Sequence, residues 1–489
     1  MRVRCWLVGL ALLAGIAIGC GGGTGTAAAG GGGGINLVPG QTQPPGPDPA
    51  PINPTIPTPP APTVNTLVLS PTAVSLFKAD TRQLTASGDL SDGTRTDLTT
   101  QATWTTSDAN VATVSAAGLV TAVAAGTATI TATSGSLMAT CTVTVQAKTF
   151  RTFGTFNAGT RPLGIAVGDV NNDGALDLVT ANFTSNNVCL NLGTGPSGGF
   201  GTPQAFGAGT GPVGVALADL NRDGNLDAAC GNQGSDNVTA FLGNGAGLLG
   251  STGNFATGNG PNGVAAGDLN GDGFPDLVAA TFGAATLSVL IGNGNGTFMP
   301  AVNIPASGVN PFWPVLADFN GDSRLDLAVS NFATNDVSFR LGNGDGTFQG
   351  PVNLVAGSGP QGMVAGDVNR DGWLDLVVAC EASDGVITLL GNGDGTFQAP
   401  RFRQTSVGPV AVSLGDFNDD SIPDVAVNTN SGFITILLGI GDGSFGRINF
   451  AVSQAGFAFG IATGDFTQDG CDDLALTDQV VLRTMLRLP

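Results

Sequence analysis

The chain of 489 residues contains no histidine and no tyrosine, a single glutamate (Glu381) and only two lysines, Lys78 and Lys148. Without an imidazole there is no Ser-His-Asp or Cys-His nucleophile system, no histidine-ligated zinc and no imidazole base. Acid–base chemistry would fall almost wholly to aspartate, which argues against an enzyme. Scarce Glu and Lys also argue against long helices and coiled coils. The 17 Lys and Arg residues form no basic run, which argues against a nucleic-acid partner. Of seven cysteines, Cys141, Cys189, Cys230, Cys380 and Cys471 lack CxxC spacing and do not recur at equivalent positions. They read as small buried apolar residues with no disulfide framework.

What is present favours strands and turns. Apolar residues make up 42%, enough for real cores, and there are 77 Gly and 28 Pro. The net charge is −20, yet 36 of the 37 acidic residues are Asp, and most fall in one repeated motif. A solvated acidic surface would mix Asp with Glu; Asp this concentrated points to metal loops.

At the N-terminus, Arg2 and Arg4 precede an apolar stretch from Cys5 to Ile18 and the junction Gly19-Cys20. This reads as a secretory signal over 1–19, too short to favour a spanning helix. Ala17-Ile18-Gly19-Cys20 resembles the bacterial lipobox, which implies that Cys20 is acylated and becomes the mature N-terminus. The expected location is outside the cytoplasm, lipid-anchored at the outer membrane or cell surface. Residues 20–65 read as a linker: a Gly/Ala-rich leash, then 11 Pro in 35–65, a semi-rigid spacer.

From Thr66 the texture changes to short alternating segments such as Leu67-Val68-Leu69 and Gln83-Leu84-Thr85-Ala86, separated by turns such as Asp92-Gly93. Residues 66–146 therefore predict a small β-sandwich. The run from Trp104 through Val114, Gly118 to Val123 and Gly126 to Ile130 resembles the bacterial Ig-like domain, group 2. That resemblance implies a spacer, with Trp104 in its core.

Residues 147–489 repeat. The motif Asp-x-Asn-x-Asp-(Gly/Ser)-x-x-Asp recurs seven times at intervals of 49 or 50 residues. Positions 1, 3, 5 and 9 are Asp169, Asn171, Asp173 and Asp177 in the first unit, and Asp219, Asn221, Asp223 and Asp227 in the second. They are Asp268, Asn270, Asp272 and Asp276 in the third, and Asp318, Asn320, Asp322 and Asp326 in the fourth. The fifth has Asp367, Asn369, Asp371 and Asp375, and the sixth Asp416, Asn418, Asp420 and Asp424. The seventh has Asp465, Thr467, Asp469 and Asp473. Each unit reads as four short strands, with Gly-Asn-Gly-Asp-Gly-Thr-Phe (342–348, 391–397) as the last turn. Four antiparallel strands repeated radially is the propeller solution to exposed sheet edges. Phe150 lies 19 residues before Asp169, as Phe348 lies 19 before Asp367. Residues 150–158 thus read as a fourth strand without its own blade, expected to close the seventh. The segment 246–254, where Leu249 replaces the turn Phe, is expected to disturb the third repeat.

These units resemble the FG-GAP and VCBS repeats, known from the integrin α-subunit propeller. The fold class expected is all-β, a seven-bladed β-propeller preceded by a small Ig-like β-sandwich. Positions 1, 3 and 5 set short oxygen side chains on one side of a tight turn, as in the first half of an EF-hand loop, and position 9 is expected to close the cage. Oxygen-only ligation selects Ca²⁺, up to seven ions in a structural role, with the Thr467, Ser323 and Ser421 loops weaker. In the integrin-like arrangement the opposite face carries 181–187, 231–237, 280–286, 330–336, 379–385 and 428–432, with 309–314 and 455–460. Phe183, Phe282 and Phe332 recur there and are expected to pack between blades. The pair Phe312-Trp313 does not recur and is the candidate ligand contact, for an extracellular glycan or protein. Alternatives are a polysaccharide lyase or Asp-based glycosidase on the same scaffold, or a purely structural envelope protein.

Overall fold

The computed structural model describes residues 61–77, 80–146, 150–418, 420–451, 459–478 and 482–487. The expected signal, Cys20 and most of the linker lie outside them, as do 455–458 of the expected ligand face.

The N-terminal unit is the expected sandwich. Val64–Ser70, Thr85–Leu90 and Arg95–Asp97 form one sheet, and Ala73–Phe77, Leu137–Gln146, Gly126–Ser134 and Thr103–Thr106 another. Along Gly126–Ser134 the side chains alternate: Ala128, Ile130 and Ala132 are buried, with threonines between them. That is the period of a half-buried strand. Trp104 packs on this core and donates its indole N–H to Thr99 O at 2.9 Å.

The rest is a ring of seven four-stranded antiparallel sheets. Blades 1 to 6 span 162–207, 212–256, 261–305, 311–355, 360–404 and 409–451. In blade 5 the strands run outward as Pro360–Gly366, Asp375–Cys380, Gly385–Leu389 and Arg401–Gln404. First strands of consecutive blades touch all the way round, and that of blade 7, Ile461–Gly464, touches that of blade 1. Second strands are buried on both faces, because each sheet is covered by its two neighbours. This explains their continuous apolar runs, such as Asp375-Leu-Val-Val-Ala-Cys380, in place of alternation. Seven apolar clusters fill the seven seams. One joins Val179 and Leu190 of blade 1 to Phe241 of blade 2, and the last joins Leu482 and Ala475 of blade 7 to Leu178 of blade 1.

Blade 7 is closed by the chain's own beginning. Phe150–Phe156 pairs antiparallel with Leu482–Arg487, Phe150 opposite Arg487 and Phe156 opposite Leu482. Phe156 meets Phe200 of blade 1 edge-on at 5.3 Å, and Phe150 meets Phe417 at 5.5 Å. The segment 246–254 is disturbed as expected, though it belongs to blade 2: Leu249–Ala256 is eight residues long and its register skips Thr252, between the pairs Ala240–Gly253 and Phe241–Ser251. Leu249, 5% exposed, fills the core position of the missing Phe.

Candidate functional sites

Each Asp loop joins the first strand of a blade to the second and folds by hydrogen bonds to its own backbone. In blade 1, Asp169 accepts from the N–H of Asp173 at 3.1 Å and of Gly174 at 2.8 Å. Asn171 accepts from Asp173 N at 3.2 Å and donates its amide to Asp173 Oδ2 at 2.8 Å. Asp173 Oδ1 accepts from Ala175 N at 2.8 Å. Asp219, Asn221 and Asp223 repeat the pattern, as do Asp367, Asn369 and Asp371, and Asp416, Asn418 and Asp420. In blades 3 and 4, Asp268 and Asp318 additionally take the N–H of Gly271 and Gly321 at 2.7 Å. Positions 1, 3 and 5 are thus brought together at the surface. Two backbone positions are left-handed, Asn172 at φ 57° and Gly174 at φ 86° in blade 1. Ser323 and Ser421 hold the second of these at φ 66° and 63°, where a side chain costs energy that Gly avoids. In the seventh loop Thr467 donates to Asp473 at 3.2 Å and makes no bond to position 5.

Position 9 is placed differently from its neighbours. Asp177, Asp227, Asp276, Asp326, Asp375, Asp424 and Asp473 are fully buried. Asp177 takes the N–H of Val170 at 2.8 Å on one oxygen and of Gly193 at 2.7 Å on the other. The same pair of bonds recurs in blades 2 to 6. Burial raises these carboxyls to about 6 in blades 1 to 5 and about 7 at Asp424; the two amides lower them, and the position 5 and position 1 carboxylates raise them further. The glycine that donates the second bond opens the turn to the fourth strand. A Cβ at Gly193 would stand 2.3 Å from Leu176 O, and the equivalents in blades 2 to 6 meet the same obstacle. Loop and outer turn are therefore one unit. The sequence signal for it, a Gly 16 residues after position 9 in blades 1 to 5 and 15 after it in blade 6, is legible only as a turn.

Among the described residues no three Asp, Glu, Cys or His side chains converge as a ligand group. The donor set nonetheless suits a hard cation: three carboxylates per loop, oxygen donors only. A carboxylate oxygen has two lone pairs, so position 9 can keep its amide and still face an ion.

On the opposite face, the turns between second and third strands latch blade 1 to 2, 2 to 3, 4 to 5 and 5 to 6. Asn186, Asp236, Asn335 and Asp384, all at positive φ, accept the N–H of Gly211, Gly260, Gly359 and Gly408 at 2.8–2.9 Å. Phe183 and Phe332 lie over Gly211 and Gly359 of the following blade, as expected of packing residues, and Arg161 stacks on Phe183 at 4.6 Å. Phe282 meets Phe312 edge-on at 6.2 Å across the seam between blades 3 and 4. Phe312 and Trp313 are both half-buried, and Trp313 packs partly on the core between blades 4 and 5.

Fold and loops together define an Asp-loop β-propeller preceded by an Ig-like sandwich. The chain belongs to the FG-GAP-like repeat family, whose model matches 169–230, 226–279, 268–329, 320–378, 367–427 and 416–476. Residues 63–145 match the bacterial Ig-like domain (group 2). Ice-binding protein 1 of Shewanella frigidimarina is 37% identical over 86 residues, 18% of this chain and 10% of that protein. The crystal structure of BBS1N in complex with ARL6DN shares the fold at a TM-score of 0.50 and 11% identity, over 70% of this chain and 97% of that one. A protein from Lactobacillus plantarum aligns at 15% identity over 65% of this chain and 89% of its own, with a TM-score of 0.46.

Proposed function

We propose that this protein is a non-enzymatic recognition module of the bacterial cell surface, lipid-anchored through Cys20. The Ig-like domain spaces it from the membrane, and the propeller presents the face opposite the Asp loops to an extracellular glycan or protein. The observation that carries this reading is a break in the repeat. Six blades keep a small residue at the position of Trp313, and blade 4 alone sets an aromatic pair there, at the mouth of the ring. Half-buried aromatic rings beside amides suit recognition of either ligand class. The test is a screen of the full chain on arrays of glycans and extracellular-matrix proteins. Binding lost in Trp313→Ala supports the reading; a folded chain that binds nothing removes it.

The Asp loops are proposed to hold Ca²⁺ in a structural role, through positions 1, 3 and 5 with the buried position 9 behind them. Bound Ca²⁺ would supply positive charge to loops that each gather three carboxylates. A site with tenfold free Ca²⁺ over its Kd adds about 1.4 kcal/mol. Melting in calcium and in EDTA tests this: chelation is expected to lower the midpoint markedly, and an indifferent propeller would refute it.

A further inference from the structure

We infer that the mouth of the ring on the face opposite the Asp loops is a binding site for a neutral carbohydrate chain, with Trp313 as its stacking platform. This rests on the recognition reading above and names its ligand class.

The residue five places before each loop's first Asp is Gly164, Gly214, Gly263, Trp313, Gly362, Ala411 and Gly460 in blades 1 to 7. Close approach of neighbouring blades explains the glycines. A Cβ would stand 2.3 Å from Val213 O at Gly164, 2.6 Å from Asn262 O at Gly214 and 2.8 Å from Val410 O at Gly362. Blade 4 places the largest side chain at this crowded position. The backbone is held to accept it: Trp313 N donates to Ser330 Oγ at 3.1 Å, and Ser330 Oγ donates to Gln361 O of blade 5 at 2.6 Å. The ring needs no bulk there, since the other blades close without it. A costly local exception in a repeat is where function is expected.

The neighbouring position breaks the repeat in the same place. It is Leu163, Val213, Val410 and Phe459 in blades 1, 2, 6 and 7, but Asn262 and Gln361 in the blades on either side of Phe312. Each amide is oriented by a second residue. Asn262 accepts from Gln233 at 2.7 Å, and Gln361 donates to Glu381, whose other oxygen accepts from Asn430 at 2.7 Å. Asn262 and Gln361 are 3% and 6% exposed, so each is fixed on a blade flanking Phe312 and Trp313, with Asn262 Nδ2 and Gln361 Oε1 bonded to no protein group among the described residues. The blade 3–4 seam also lacks the latch of its neighbours: Ala285 stands where they have Asn or Asp, and Asn310 where they have Gly.

An aromatic face flanked by an oriented donor and acceptor matches a sugar ring, which offers C–H groups on one face and hydroxyls at its rim. Charge selects the neutral class. The ionised groups around this arc are carboxylates: Glu381, with both oxygens bonded to amides, and Asp236 and Asp384 in the flanking turns; the chain carries −20 overall. A polyanion finds no cation in the arc to pair with.

The test titrates the full chain with cellohexaose, laminarihexaose, chitohexaose and mannohexaose by calorimetry and tryptophan fluorescence, with polygalacturonate, heparin and fibronectin as other classes. At least one neutral hexasaccharide should bind. Trp313→Ala should weaken it about tenfold or more, and Asn262→Ala or Gln361→Ala by several-fold. Trp313→Phe should retain part of the affinity, and Trp373→Ala, on the loop face, all of it. Matched melting midpoints show that the variants are folded. Binding of heparin, polygalacturonate or fibronectin alone, lost in Trp313→Ala, overturns the neutral-sugar assignment and leaves the recognition reading standing. Neutral-sugar binding untouched in folded Trp313→Ala overturns the site. No binding by any probe overturns both.

Discussion

Asp375 accepts the backbone N–H of Gly391 at 2.8 Å, and so joins the Asp loop of blade 5 to the turn before its outer strand. The other oxygen holds Val368 N at 2.9 Å. A Cβ on Gly391 would stand 2.2 Å from Leu374 O, which is backbone and has nowhere to go. Gly391→Ala is therefore expected to destabilise the chain by about 1–3 kcal/mol through forced displacement of this turn. Asp375→Asn should cost about as much, because one of two buried N–H donors then meets an amide NH₂. Urea unfolding of both variants measures this. A midpoint within error of the parent in Gly391→Ala would show that the turn yields freely.

The buried position 9 carboxyls set an unusual pH dependence. Their folded values, about 6 in blades 1 to 5 and about 7 at Asp424, lie above the ordinary 3.8 of the unfolded chain. Between pH 4 and pH 6–7 the folded state binds more protons, so stability falls as pH rises through that window and levels off above it. The turn carboxyls Asp345, Asp394 and Asp442 are held below the ordinary value by hydroxyls of Thr347, Thr396 and Ser444, and oppose this only at lower pH. In EDTA the melting temperature is expected to be higher at pH 5 than at pH 7.5. Calcium, which favours the ionised form, should shrink or reverse that difference. A metal-free melting temperature that climbs from pH 5 to 7.5 would contradict the burial of these groups.

The architecture was legible because the chain states it seven times. One Asp-loop spacing gave the blade length, and Phe150 at the same distance before Asp169 as Phe348 before Asp367 gave the closing strand. The site was legible only in part. Nine residues of spacing place Asp169, Asn171, Asp173 and Asp177 in one loop, but do not tell which way a carboxylate turns. Asp177 turns inward because Gly193, 16 residues later, brings an N–H to it. Likewise Asn186 and Asn335 look like ordinary turn residues, and their bonds to Gly211 and Gly359 depend on where the next blade lies. The missing turn Phe marks 246–254 as disturbed, but the form of the disturbance, a register that skips Thr252, is set by pairing with Asn237–Gly243.

Ring closure rests on non-covalent pairing of the strand Phe150–Phe156 with Leu482–Arg487. Deleting 147–158 removes the outer strand of blade 7 and the Phe156–Phe200 and Phe150–Phe417 contacts. It also leaves Leu482–Arg487 as an open edge, a template for association. The truncated chain is expected to unfold at lower urea and to scatter light on standing. An unchanged midpoint in a monomeric truncation would show that the ring does not depend on this clasp.

The seam between blades 3 and 4 offers a test in the stabilising direction. Ala285 holds φ 52°, a conformation that Asn tolerates better than Ala, at the place where Asn186 and Asn335 hold 54° and 61°. Those residues also accept the N–H of Gly211 and Gly359 at 2.9 Å, whereas Ala285 has no side-chain acceptor to offer Asn310. Ala285→Asn supplies both the backbone preference and the bond, and is expected to stabilise by about 1 kcal/mol. Asn335→Ala, which removes the latch between blades 4 and 5, should cost a similar amount. The pair is read together by urea unfolding. If Ala285→Asn destabilises while Asn335→Ala does so as well, the blade 3–4 seam is shaped around the Phe282–Phe312 contact too tightly to accept a latch, and the missing bond is a packing consequence of that contact.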